Sequence, residues 1–220
     1  MKIHIIGNSH VSIFSGKSTI LNKYPSHVET YTPTPNITYC SYHIGPTIAY
    51  NFFEHHYHHV TDICERFVNK DTDYIMIVVG EVDCRWHLPK QASIQHIEID
   101  TLVDECVTRF FRCYRDLSNK GYKCIGWGGH PSTNGGHNDD PNSPVYGDVN
   151  RRNNISKLFE YTIKQKCIEN NMPFISILHE CINDDNTTDM TYFIDYCHLN
   201  ADKILPKINE LVISYLNLQN

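Results

Sequence analysis

Four short apolar runs, at residues 2–6, 74–79, 123–127 and 174–178, restrict the fold of this 220-residue chain more than any other feature. Runs of this length, set between polar and turn residues, are too short for buried helices and read as buried strands. A further strand is predicted near residues 28–31. Between the runs lie longer stretches with helical periodicity, at 60–69, 97–119, 153–170 and 201–217. The clearest is 97–119, where Ile99, Leu102, Val103, Cys106, Phe110, Cys113, Tyr114 and Leu117 recur near 3.6-residue spacing. Gly121 and Pro173 follow two of these stretches as stop signals. Strands alternating with helices predict an α/β fold, with a central parallel sheet of about five strands covered by helices on both faces. Functional groups in such a three-layer α/β/α sandwich sit beyond the carboxyl ends of the strands.

The length suits one domain spanning residues 1–220, and 40% hydrophobic residues supply a sizeable core. A net charge of −6 without a long basic run disfavours nucleic acid and anionic membrane surfaces as partners. Arg151-Arg152 reads as the solvated start of a helix. Nine cysteines, with no Cys-x-x-Cys, cannot all pair internally. Cys84, Cys106, Cys124 and Cys167 have the surroundings of small core residues. Reduced thiols in a cytoplasmic, reducing compartment are therefore expected. The apolar run after Lys2 ends at Gly7, too soon for a secretory leader, and no run approaches the length needed to enter a bilayer. Residues 33–41 and 128–150 read as loops, the second long enough to be mobile or functional. No internal repeat or linker stands out.

Ser9 follows the first strand by two residues, in Gly7-Asn8-Ser9-His10, at the edge where function is expected. Near the other end, Asp195 precedes His198 by three residues, so one turn brings the two side chains together. An Asp that accepts from His Nδ1 fixes the tautomer and leaves Nε2 to take a serine proton. On a bland reading Ser9 caps the next helix, and Asp195 and His198 form a surface pair opening the last one.

These residues resemble the motif blocks of the SGNH (GDSL-like) hydrolase superfamily, a flavodoxin-like fold. Gly7-Asn8-Ser9-His10 resembles the first block, with Asn8 where Asp is commoner. Gly45, in His43-Ile44-Gly45-Pro46-Thr47, matches the glycine of the second, unless it is only a turn residue. Gly80-Glu81-Val82-Asp83 resembles the third, and Asp195 to His198 the last. The order and approximate spacing agree over essentially the whole chain. The resemblance implies a cofactor-independent, metal-free serine esterase with catalytic Ser9, Asp195 and His198 and an acyl-serine intermediate. It implies an oxyanion hole from the backbone N–H groups of Ser9 and Gly45. The third-block asparagine, a further donor, is replaced by Val82, whose side chain donates nothing. Arg85 and Asn8 are the candidate replacements; Arg85 is otherwise a structural partner of Glu81 or Asp83, and Asp83 a buttress of the loops.

The string Gly80-Glu81-Val82-Asp83-Cys84-Arg85 resembles a divergent subgroup associated with glycan or polysaccharide biosynthesis. It points to a small acyl ester, such as O-acetyl on a sugar, as substrate. His130, Asn134 and Tyr146, with Trp127 and His137, are candidate substrate contacts in the 128–150 loop. An O-acyltransferase, in which a sugar hydroxyl resolves the acyl-serine, and a non-catalytic glycan-binding module are the alternatives. The oligomeric state is left open.

Two other motifs read as incidental. His55 and His59 lie at helical i, i+4 spacing, but no second ligand cluster accompanies them, so a solvated helix face is expected rather than a metal site. Ser15-Gly16-Lys17-Ser18 resembles the end of a phosphate-binding loop but has Val11 where that loop needs its first glycine.

Overall fold

The computed structural model describes residues 1–135 and 144–216. Its sheet has six strands: β1 (Lys2–Gly7), β2 (Glu29–Thr34), β3 (Ile37–His43), β4 (Tyr74–Val78), β5 (Lys123–Trp127) and β6 (Phe174–Ile175). They are ordered β2-β3-β1-β4-β5-β6. All neighbours are parallel except β2, which runs antiparallel to β3 at the edge. The helices are α1 (Phe52–His55), α2 (Tyr57–Phe67), α3 (Leu88–Gln95), α4 (Ile99–Asn119), α5 (Val149–Glu169) and α6 (Ala201–Tyr215).

Period-2 alternation divides the apolar side chains between two faces. Ile75 and Ile77 of β4 join Ile6 and residues of α2, α4 and α5 in one core. Met76 and Val78 join Ile3 and Ile5 in the other, closed by Val11 and Phe14 after β1 and by Ile204, Ile208 and Val212 of α6. The result is the expected three-layer sandwich.

The sheet departs from expectation by one strand and by being mixed. Much of the stretch read as a loop at 33–41 forms a hairpin, in which Thr34 pairs with Ile37 across Pro35-Asn36. Pro33 lies in β2, an edge strand, where a missing N–H costs little. The β-branched and aromatic residues of β3 then pair directly with β1. Arg151 and Arg152 also differ from each other: Arg151 is exposed, whereas Arg152 is buried. Its guanidinium donates to Ser132 Oγ (2.8 Å), to the Thr133 carbonyl (2.7 Å) and to the Gly147 carbonyl. Burial there satisfies acceptors on both sides of the long connection before α5. The nine cysteines are free thiols, eight of them buried. No helix among the described residues is long and apolar enough to cross a membrane.

The five parallel strands, taken alone, have a flavodoxin-like order, in which the first strand lies between the second and the third. Chain connections leave β1 and β4 in different directions, and a crevice opens at their carboxyl ends. The approach there is very close: a Cβ on Gly7 would lie 2.0 Å from the Val78 carbonyl oxygen. Gly7→Ala is therefore expected to force β1 and β4 apart and to cost about 3 kcal/mol or more, read as a fall in the urea midpoint. An unchanged midpoint would show that this contact does not set the crevice.

Candidate active site

Asn8 ends β1 and caps a 3-10 helix, Ser9–Ser15; its Oδ1 accepts the His10 N–H at 3.1 Å. Val11, Ile13 and Phe14 bury the helix against the sheet. Ser9 is thereby fixed at the crevice mouth. The opposing segment is a tight loop before α6. Phe193 bridges Leu199, and the Ile194 N–H donates to the His198 carbonyl. Within it, Asp195 Oδ1 accepts the N–H groups of Cys197 (2.7 Å) and His198 (2.6 Å). Its Oδ2 lies 2.8 Å from His198 Nδ1, and His198 Nε2 lies 2.9 Å from Ser9 Oγ.

The surroundings of this chain of contacts favour a neutral imidazole. Burial, reinforced by His10, pushes His198 below its usual value and outweighs the opposing pull of Asp195. Partial burial would raise Asp195, but the backbone donors of His198 and Cys197, with the His198 ring, bring it down. At neutral pH the site thus holds a carboxylate, a neutral imidazole and a hydroxyl in hydrogen-bonding sequence. That arrangement can remove a proton from Ser9 Oγ and stabilise the resulting imidazolium.

Behind Ser9, His198 and Asp195 is a buried polar layer. The His10 ring lies 5.3 Å from that of His198 and 4.3 Å from that of His130. Glu81 faces His10 Nε2 at 3.5 Å and accepts Arg85 Nε at 2.6 Å. Burial alone would raise Glu81, yet the His10 hydrogen bond and the Arg85 charge bring it down to about 2. Asp83 accepts the N–H groups of Ala49 (2.6 Å) and Tyr50 (3.2 Å), tying the connection after β4 to that after β3. Residues Asp83–His87 form a turn of π-helix, a local irregularity common at functional sites.

A cleft of about 280 Å³ opens over Ser9 and His198. Asn8, His10, Lys23, His43, Pro46, Thr47, Glu81, Val82, Arg85, Tyr196 and Cys197 line the rest of it. Gly45 has φ +99°, and its α-carbon faces the Lys23 side chain at the rim, next to Pro46 and Thr47. Asn8 Nδ2 is buried without a hydrogen-bond partner among the described residues. Arg85 faces the cleft, but its guanidinium is held by both Glu81 oxygens and donates to the Pro144 carbonyl at 2.5 Å.

The three substrate contacts expected in the 128–150 loop do not line this cleft. His130 is 2% exposed beneath His10, and burial keeps it neutral, well below the usual histidine value. Its Nδ1 accepts the Trp127 indole N–H at 3.4 Å, and Trp127 itself is core. Asn134 exchanges two hydrogen bonds with the Thr188 backbone, and Tyr146 donates to Ser93 Oγ at 2.8 Å. In each case an intramolecular partner takes the side chain. His137 lies outside the described residues. Lys17 pairs with Glu29 at 2.9 Å, away from any phosphate cradle. The His-rich run is broken at His56 between α1 and α2.

His10, Glu81, His43 and Cys197 were not singled out from sequence. Adjacency was the signal for two of them: His10 follows Ser9, and Cys197 precedes His198. Glu81 was placed only in the third block and as a partner of Arg85, and His43 only beside Gly45; the packing of strand ends brings both to the cleft.

No family model matches the chain, and no curated protein matches it. Solved structures do. A GDSL-like lipase from Bacteroides thetaiotaomicron matches with a TM-score of 0.58 and 12% identity, over 97% of this chain and 87% of that one. The fold is that of the SGNH (GDSL-like) hydrolases. The acetylxylan esterase Axe2 from Geobacillus stearothermophilus matches with a TM-score of 0.55 and 13% identity, over 99% and 94% of the two chains. The C-terminal domain of the Drosophila Oskar protein matches equally well, at 0.55 and 12%, over 97% and 87%. Similarity at this level of identity concerns the fold. What an SGNH-type scaffold does in this chain rests on its own residues.

The buried pair yields a sharp expectation. Arg85→Ala leaves the Glu81 carboxylate buried with a main partner gone and should cost about 3–5 kcal/mol in urea unfolding. The double change Glu81→Gln with Arg85→Met should cost clearly less. A stable Arg85→Ala protein would show that Arg85 does not hold the fold.

Proposed function

We propose that the protein is a serine esterase acting on small acyl esters. The observation that carries this reading is the continuous sequence Asp195 Oδ2–His198 Nδ1 and His198 Nε2–Ser9 Oγ, at 2.8 and 2.9 Å, at the mouth of a cleft. Ser9 attacks the ester carbonyl as His198 Nε2 takes its proton. His198, held and stabilised by Asp195, returns the proton to the leaving alcohol. Water, activated by the same imidazole, then releases the acyl group from Ser9.

The oxyanion forms beside the backbone N–H groups of Ser9 and Gly45. Val82 contributes no side-chain donor, and Arg85 is engaged by Glu81. Asn8 is therefore the better replacement: the His10 N–H fixes its side-chain carbonyl, and its Nδ2 has no hydrogen-bond partner among the described residues. The cleft volume suits a short acyl chain such as acetyl, with the alcohol outside. The acetylxylan esterase among the structural neighbours supports a sugar alcohol.

Ser9→Ala should abolish p-nitrophenyl acetate hydrolysis and fluorophosphonate labelling with the fold intact, and Asn8→Ala should lower kcat by about 10²–10³. Turnover retained in Ser9→Ala would overturn the mechanism. Acyl transfer to an added sugar in preference to water would make the enzyme a transferase.

The pH profile tests the base. His198 must be neutral to act, and its pKa lies below 6.5, so activity should rise with pH along an acid limb centred below 6.5 and then level off. A limb centred above 7 would overturn this assignment.

A further inference from the structure

Three side chains outside the triad converge on the floor of the cleft. A His10 ring nitrogen, a Glu81 carboxylate oxygen and Cys197 Sγ all lie within 4.8 Å of one another. Imidazole, carboxylate and thiolate together form a donor set typical of zinc. With bonds of about 2.0–2.3 Å, donors around one tetrahedral zinc stand about 3.3–3.8 Å apart. The His10–Glu81 edge is already 3.5 Å. Side-chain adjustments of about 1 Å or less close the remaining edges.

We propose that His10, Glu81 and Cys197 form a binding site for a thiophilic divalent cation such as Zn²⁺, and that filling it switches off chemistry at Ser9. The supporting groups are in place. Glu81 Oε2 faces His10 and also accepts Arg85 Nη2 at 3.3 Å, while Arg85 Nε holds Oε1 at 2.6 Å, an outer hydrogen bond of the kind that orients metal-bound carboxylates. Asn8 and Asp195 fix the backbones of His10 and Cys197. The cleft leaves the fourth position to solvent. Binding replaces the Cys197 S–H bond with a sulfur–metal bond and releases one proton to solvent. His10 binds through Nε2, so the proton that Nε2 donates to Glu81 in the free site passes to Nδ1.

The inhibitory part rests on the esterase reading above. The His10 ring, which would hold the cation, lies 5.3 Å from the His198 ring. A positive charge there opposes the imidazolium that must form as Ser9 attacks. The cation also draws in Cys197, which immediately precedes His198.

Cobalt(II) titration tests the site without reference to turnover. One equivalent should produce a thiolate-to-cobalt charge-transfer band with tetrahedral d–d absorption. Cys197→Ser should remove the band, and Cys181→Ser should keep it. If Cys197→Ser does not fold, His10→Gln serves instead and should weaken binding by at least about tenfold. No band in the folded wild type, or a band that persists in Cys197→Ser, would overturn the proposal. Independently, Zn²⁺ should slow p-nitrophenyl acetate hydrolysis, and EDTA should restore it. Catalysis indifferent to Zn²⁺ while the cobalt band forms would leave a binding site and overturn the switch. A protein that forms the band but has no esterase activity would instead overturn the functional reading.

Discussion

The close passage of β1 against β4 at Gly7 is the constraint on which the site depends. A side chain there would strike the Val78 carbonyl, so only glycine lets the two strands stay paired to their carboxyl ends. Ser9 follows two residues later and Glu81 three residues after Val78. Both are therefore carried to the same crevice, and the 3-10 helix that holds Ser9 is locked below by Phe14. The loop bearing Asp195 and His198 has only to close over an already formed edge. Its own hydrogen bonds, with Asp195 accepting two backbone N–H groups, shape it before it meets Ser9.

The polar layer under Ser9 and His198 shows how a charge is kept in the interior. Glu81 is buried yet remains a carboxylate, because Arg85 and His10 together outweigh the desolvation cost. The same engagement withdraws Arg85 from the role that its place in the third block suggests. Val82 removes one donor, and the charge nearest to it serves the Glu81 pair. The cleft thus combines an imidazole that burial keeps neutral with a guanidinium held by Glu81, and Asn8 lines it beside Ser9.

Much of this was legible along the chain, and the exceptions have physical causes. β1, β4 and β5 and the long helices followed from runs and periods, which are local. β3 was hidden because Pro33 and Pro35 gave its surroundings the composition of a loop; an edge position for β2 removes the penalty those prolines signal. Ser9, Asp195 and His198 stood out because their spacing is local to each motif. His130, Asn134 and Tyr146 were misplaced because residue type does not reveal whether a polar side chain faces a cleft or an intramolecular partner. Arg152 was misread for the same reason: a basic residue near a helix start is usually solvated, but this one is buried and donates to Ser132, Thr133, Gly135 and Gly147.

By itself, then, the order of apolar runs and helical periods determined an α/β sandwich, and two short motifs determined which side chains merited attention. Both are properties of neighbours in sequence, set by backbone geometry and side-chain burial. Only the tertiary structure decided that Ser9 and His198, 189 residues apart, lie 2.9 Å from each other, that Arg85 belongs to Glu81, and that His10, Glu81 and Cys197 converge. Those contacts depend on which strands are neighbours and how closely they pack, and distance along the chain carries no record of either.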